Sequence, residues 1–364
     1  MPKRVKNATI CGHFTEDYQN DRVIFDEQCV RKLNTEFMAR KEIAVDLLGG
    51  YQKSMKFEPF ANKLKGLTEY LAVQMCEQEK TLNEITDNAN VVCLQSLFYH
   101  VASSLYYKNQ AKDFGFSIVA RQHKGIVFLN EYEAGESKRL PSGSEKRGNA
   151  KAYVWSKLEQ ILTLADGDKW PDYKGPANFN HQLKVVSRCD LIDEDSPGVH
   201  RLLLAGNASG KDQEGNYVRI LPFRSKSTPK SAKLLAACHT WPQYQIKDYI
   251  ESILCGIKDV VAGVYTEKEN QFTLRQVLTM ESVLFLSEAK DWNINDCLDY
   301  VFQFINRVRV TLKAVPEGTI IHIVRPPKSL DYKLNLVKED EHEEMNMLSK
   351  DFLDVVQHID LMSG

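Results

Sequence analysis

Glu159 is the residue whose setting most needs a chemical explanation. It lies in Ala152-Tyr-Val-Trp-Ser-Lys-Leu-Glu-Gln-Ile-Leu162, where aromatic and aliphatic residues recur on helical spacing around Lys157 and Glu159. A carboxylate on the buried side of an apolar helix needs a cation or a dense set of hydrogen-bond donors. An ordinary salt bridge meets that need, and so does a catalytic site. Gly206-Asn-Ala-Ser-Gly-Lys211 ends a glycine-containing run on a lysine, but it is one residue short of a phosphate loop and Asp212 follows the lysine. No nucleotide loop is expected there. His322 alternates with apolar neighbours in Thr319-Ile-Ile-His-Ile-Val324 and reads as an edge or core histidine rather than a ligand. The eight cysteines show neither CxxC nor Cys/His metal spacing, and Cys93, Cys189 and Cys255 sit inside apolar runs as reduced, packed thiols do.

The elements that would position Glu159 centre on Lys184–Met280. Lys184–Asp190 and Tyr217–Leu221 are β-branched runs expected to pair, with Ala205–Glu214 as a long hairpin loop. Gln245–Gly256 has apolar residues at 246, 249, 250, 253 and 254, which predicts a buried helix stopped by its glycine. Val260–Tyr265 and Phe272–Met280 flank the polar turn Thr266–Gln271 and predict a second hairpin whose first strand is central. Around this unit, Asn62–Lys80, Asn88–Tyr107 and Asn295–Leu312 read as amphipathic helices, and Phe116–Ala120 with Gly125–Leu129 as a strand pair. Ala8–Cys11 and Arg22–Phe25 are short strand-like pieces in residues 1–45, expected to wrap the outside. Glu133–Ala150 is polar and mildly basic, a surface loop. The tail opens on the acidic run Lys338–Glu344. It closes with Leu348, Phe352, Val355, Val356 and Ile359 on helical spacing, a helix expected to dock back on the domain rather than engage a partner.

Composition sets outer limits. The 364 residues contain no Pro-, Gly- or Ser-rich linker, so residues 1–364 are expected to form a single domain. Lys and Arg total 47 against 49 Asp and Glu, which excludes a global positive field; any nucleic-acid site must be local. No apolar stretch reaches membrane-spanning length and the N-terminus lacks an apolar signal core, so a cytoplasmic or nuclear, non-secreted protein is expected. The glycosylation patterns at Asn7 and Asn207 then carry no meaning.

Read in this order, the chain resembles the DXO family of RNA 5′-end decapping and exonuclease proteins, over about residues 46 to 325. Asp46-Leu-Leu-Gly-Gly-Tyr51 looks like the family's opening segment, and Tyr153–Gln160 like its G-Φ-x-Φ-E helix. Val186-Ser-Arg-Cys-Asp190 stands where E-Φ-D is expected, and Tyr217-Val-Arg-Ile-Leu221 where E-Φ-K is. Asp248–Gly256 falls on the glutamine-bearing helix, followed by the well-matched Val260-Val-Ala-Gly263. The resemblance implies an α+β fold, mixed β-sheets flanked by helices and related to the PD-(D/E)XK nuclease core. It also implies a pair of Mg or Mn ions held by the acids, with the lysine and glutamine orienting the attacking water.

This chain departs from that pattern at several positions together. Glu159 and Asp190 match metal ligands, but Arg188 and Arg219 replace acids and Leu221 the lysine; Glu251 replaces the glutamine and Trp155 the helix glycine. The family's early arginine falls near Phe98–His100, where none is present. Exchanging two carboxylates for two guanidiniums moves a site by about four charges, and one like-charge contact at roughly 4 Å is worth about 4 kcal/mol at an effective dielectric near 20. Arginine cannot relieve this by deprotonating. Glu159 and Asp190 are then vestigial ligands, no cofactor is expected, and Arg188 and Arg219 should pair with Glu159, Asp190 and Glu251. Should the placement of residue 219 slip, Arg224 supplies a similar charge.

The expected function is a catalytically inactive homologue with a binding or regulatory role. It would have an unidentified protein partner, weak or no RNA binding, and neither DNA nor membrane as a partner. The alternatives are an RNA 5′-end hydrolase with unconventional ligands, such as Glu251, and a pure protein-interaction scaffold.

Overall fold

The computed structural model describes residues 4–55, 57, 59–107, 115–132, 142–178, 180–193, 198–225, 242–269, 271–282, 292–338 and 341–363. Its strands in chain order are β1 Val5–Asp17, β2 Arg22–Ile24, β3 Lys32–Leu33, β4 Val45–Asp46, β5 Val91–Leu94, β6 Phe116–His123, β7 Ile126–Glu131 and β8 Thr163–Leu164. They continue with β9 His181–Ile192, β10 Val199–Asn207, β11 Gly210–Lys211, β12 Tyr217–Arg224, β13 Asp259–Lys268, β14 Gln271–Glu281, β15 Ile320–Arg325 and β16 Lys333–Leu336. Among the described residues they form two mixed sheets, ordered β16-β15-β6-β7-β5-β10-β9-β1-β2 and β4-β14-β13-β12-β11-β3-β8. This is the expected α+β fold of mixed sheets flanked by helices.

Side-chain alternation along β9 decides what each face of the first sheet meets. Cys189 and Leu191 point into a core shared with the helices Gln95–Tyr107, Pro242–Leu254 and Ile294–Lys313, and with Leu221, Phe223, Val260 and Ala262 of the second sheet. Val186 points the other way, into a core closed by Leu67, Leu71 and Met75 of the Lys65–Gln78 helix and by Phe352, Val356 and Ile359 of the Lys350–Ser363 helix. The C-terminal helix docks on the domain as its spacing predicts. The outer face of the second sheet buries Ile220 and Val261 against Val154, Leu158 and Ile161 of the Ser142–Leu162 helix. That helix lies close because Gly263 has no side chain: a Cβ there would stand 2.5 Å from Leu158 Cδ1.

Several expected elements are present: the antiparallel pair β13–β14, the pair β6–β7, the Ile294–Lys313 helix and β15. Others are corrected. Lys184–Asp190 does not pair with Tyr217–Leu221; β9 pairs with β10, and β12 belongs to the other sheet beside β13. The Leu202–Ala205 run has the burial of a central strand, and the polar Gly206–Asn207 end concealed it. Because β12 and β13 run parallel, the chain must cross over between them, and the Pro242–Leu254 helix lies in that crossover. Asn88–Tyr107 is not one helix: Val91–Leu94 forms β5, parallel to both β7 and β10, before the helix begins at Gln95. The N-terminal strand is no outer wrap, since β1 pairs with β9 along most of its length. Residues 142–150 of the expected surface loop begin the Ser142–Leu162 helix, whereas 133–141 lie outside the described residues.

Candidate functional site

Glu159, Arg219 and Glu251 converge on one cavity of about 170 Å³, together with Trp155, Gln182, Leu183, Asn207, Ser209 and Lys247. Three elements build it: the Ser142–Leu162 helix brings Glu159, the Pro242–Leu254 helix brings Lys247 and Glu251, and β12 brings Arg219. Arg219 is almost fully buried. Its guanidinium donates to Glu251 Oε2 at 2.5 Å, to the Asp248 carbonyl at 3.1 Å and to Ser252 Oγ at 3.2 Å. Its Nη2 also stands 4.0 Å from the Asp248 carboxylate. Burial raises the Asp248 carboxyl to about 6, against the opposing pull of Arg219 and Lys247.

Glu159 has a different partner. Ser209 Oγ donates to Glu159 Oε1 at 2.6 Å and itself accepts from the Ile220 amide at 2.9 Å. Burial pushes the Glu159 carboxyl up to about 7; the Ser209 bond, the charge of Arg31, the Trp155 side chain and the charge of Arg219 all act in the opposite direction. Lys247 lies 5.8 Å from the ring centroids of both Tyr99 and Trp155, so its charge is spread over two aromatic faces at the cavity wall.

The other matched positions are elsewhere. Arg188 lies on the opposite face of β9, where it donates to the Ile85 carbonyl at 2.7 Å and stands 3.8 Å from Asp87. Asp190 shares that face and accepts from Asn7 Nδ2 at 2.7 Å. The Arg188 and Asp190 pairings expected with Glu159 and Glu251 are therefore absent, because a one-residue offset along a strand exchanges its two faces. The residues of β9 that do face the Glu251 helix are odd-numbered, as Ser187 shows by donating to the Leu254 carbonyl at 3.2 Å. Leu221 is packed in the core and lines no part of the cavity, and Arg224 is engaged with Glu267 at 3.1 Å. Trp155 lines the cavity as its motif position predicts. Near the position of the absent early arginine, Phe98 is buried in the core and His100 stands 3.4 Å from Glu131.

Asn207-Ala208-Ser209 occupies the place opposite Glu159 that the sequence reading gave to Val186–Asp190. The sequence does carry a signal for it: the triplet alternates polar and apolar residues immediately before the β11–β12 hairpin. Reading Gly206–Lys211 as a failed phosphate loop hid that signal, and Lys211 in fact points to Glu27 at 3.2 Å. His322 is half-buried on an interior strand, where its ring nitrogen lies 2.7 Å from Ser117 Oγ. The seven described cysteines are free.

The donor set does not fit a divalent cation. Among the described residues no group of three or more His, Cys, Asp or Glu could hold a metal ion. To enlist Glu251 beside Glu159, an ion would have to take it from Arg219 and leave that guanidinium unpaired in the interior, which costs about 3–5 kcal/mol.

The model for RAI1 like PD-(D/E)XK nuclease matches residues 6–353. The chain is 22% identical over 313 residues to the decapping nuclease dom-3 of Caenorhabditis elegans, covering 84% of this chain and 74% of that protein. Among solved structures, Candida albicans Rai1 in complex with pU5-Mn2+ superposes with a TM-score of 0.72 at 15% identity, over 98% of this chain and 97% of that one. Scheffersomyces stipitis Rai1 in complex with (3'-NADP)+ and calcium ion gives a TM-score of 0.73 at 18% identity, over 98% of both chains. K. lactis Dxo1 in complex with manganese gives 0.61 at 12% identity, over 93% and 92%.

Proposed function

Since the chain belongs to the RAI1-like PD-(D/E)XK nuclease family, that of the DXO and Rai1 decapping proteins, we propose that it has lost metal-dependent hydrolysis and works as a binding or regulatory member. The observation that carries this reading is the Arg219–Glu251 pair. A guanidinium occupies the interior where the family motif has an acid, and it has its own counterion in the residue that replaces the family's glutamine. Glu159 remains, but its carboxylate is engaged by the Ser209 hydroxyl. The pocket thus pairs Arg219 with Glu251 from within and meets Glu159 with a hydroxyl, whereas a metal site leaves carboxylates to be satisfied by the ion.

The same pairing argues against a hydrolase with Glu251 as an unconventional ligand, because that glutamate is already committed. RNA binding is weak in this reading, given a net charge of −2 and internally paired pocket charges, and a protein is the favoured partner. The test is hydrolysis of 5′-monophosphate and capped RNA with magnesium or manganese. No cleavage is expected. Cleavage that Glu159→Ala abolishes would overturn the proposal.

A further inference from the structure

Behind Glu159 lies a second cavity, of about 360 Å³, whose walls include Arg31, Thr15, Asn178 and His181. It shares Glu159 and Ser209 with the first cavity but takes Arg31 and Thr15 from the N-terminal segment, outside the stretch that carries the nuclease motifs. Its volume is within the range of about 300–1,000 Å³ typical of small-molecule sites.

Arg31 is held like a fixed tool. Its Nε donates to Thr163 Oγ1 at 2.7 Å and its Nη2 to the Thr163 carbonyl at 3.0 Å, while Thr163 Oγ1 donates in turn to the Glu159 carbonyl at 2.6 Å. Its own carbonyl accepts from the Lys211 amide at 2.9 Å, so backbone and side chain are both anchored. Among the described residues no carboxylate approaches the guanidinium within 4.0 Å, and Nη1 makes no hydrogen bond. Asp168 and Glu159 act on Arg31 only at longer range than a contact pair, so its free donor edge is open to an anion that could reach it directly.

A second, independent observation points to the same space. Thr15 lines this cavity, is 4% exposed, and its Oγ1 has no hydrogen-bond partner. His181 contributes from the strand beside it, with Nε2 fixed 3.2 Å from the Asp17 carboxylate. A free guanidinium edge, an unsatisfied buried hydroxyl, an oriented imidazole and the Asn178 amide thus line one space from several directions. Such donors suit an oxyanion, and Glu159, which lines the same cavity with its carboxyl raised to about 7, can meet a phosphate oxygen in its protonated form.

We propose that this cavity is a phosphate site in which Arg31 is the charged ligand and Thr15 the neutral one. The site would take a small phosphorylated molecule without any metal, and so differs from phosphate binding through divalent ions. It does not depend on the loss of hydrolysis, since its ligands lie outside the nuclease motifs.

The probe is inorganic phosphate, titrated calorimetrically into the full chain in EDTA, with acetate and chloride as controls at matched ionic strength. Saturable phosphate binding is expected, with acetate and chloride clearly weaker. Arg31→Gln keeps amide protons for Thr163 but removes the charge, and should weaken binding by about tenfold or more. Ala165→Phe narrows the cavity from another wall without touching Arg31, and should also abolish binding; it decides the matter if Arg31→Gln does not fold. Absence of saturable binding by the wild type, acetate binding as well as phosphate, or binding unchanged in the folded variants would each overturn the proposal. RNA cleavage by the wild type would instead count against the proposed function and leave this site standing.

Discussion

Arg219 of β12 and Glu251 of the Pro242–Leu254 helix form an ion pair at 2.5 Å with the two residues only 2% and 4% exposed. The pair ties a strand of the second sheet to the helix that crosses over it, and Arg219 adds bonds to the Asp248 carbonyl and Ser252. Removing one partner leaves the other charged and buried. Arg219→Ala is expected to destabilise the fold by about 3–5 kcal/mol, whereas the paired change Arg219→Met with Glu251→Leu should cost much less. Urea unfolding of the three proteins measures this. An Arg219→Ala protein as stable as wild type would mean that the pair contributes nothing.

Glu159 should make stability depend on pH in an unusual direction. Its folded carboxyl is raised to about 7 from 4.5, so its contribution is fully present below 4.5 and is lost as pH rises through about 7. Asp248, raised to about 6 from 3.8, acts in the same sense. Glu159→Gln resembles the protonated form at every pH, so its melting temperature should gain on that of wild type as pH rises from about 5 to 8. A constant difference across that range would show that the carboxyl is not raised.

Metal affinity should be recoverable at the positions that the structure, rather than the motif alignment, places around Glu159. Ser209→Asp with Arg219→Glu would set four carboxylates, with Glu159 and Glu251, on one cavity and should give manganese binding visible by electron paramagnetic resonance. Arg188→Glu should give none, because Arg188 faces Ile85 and Asp87 across the sheet. Manganese binding by the Arg188 variant alone would contradict the register of β9.

Gly263→Ala tests how the Glu159 helix is seated. The added methyl would meet Leu158 Cδ1 and Cδ2 at 2.5 Å, and overpacking of this kind costs about 1–3 kcal/mol. Thermal unfolding should show the loss, and the pH dependence assigned to Glu159 should weaken as the helix shifts outward.

Much of the fold was legible where one period dominated. The stripe of the Ile294–Lys313 helix and the C-terminal stripe at Phe352, Val356 and Ile359 each fit the helical period, and the apolar run of β13 is marked as a strand by its β-branched valines and the polar turn that follows it. Val91–Leu94 misled because four apolar residues running directly into a helix fit either period, and only pairing with β7 and β10 makes them a strand. The site was legible by residue type more than by position. Glu159, Arg219 and Glu251 were found, because each lies in an element whose limits the sequence marks. Arg188 and Asp190 were misplaced because local pattern does not say which face of β9 meets the pocket. That depends on β1 and β10, which come from distant parts of the chain. Arg31 carries no local signal of its place, and the signal for Ser209 is only the alternation of the triplet Asn207-Ala208-Ser209.

The chain passes from one sheet to the other within two residues. The Ala208 amide donates to Leu183 of β9, in the first sheet, and the next amide, that of Ser209, donates to Val218 of β12 in the second. Ser209 then holds Glu159 with its side chain. A tilt of one sheet relative to the other at this joint is therefore felt by the residue that holds the pocket's acid, which makes that hydrogen bond a gauge of how the two sheets meet there. The Ile220 amide, donating to the same hydroxyl, is where deuterium exchange would read it: anything that stiffens the joint should slow exchange there, even if it binds far from the pocket.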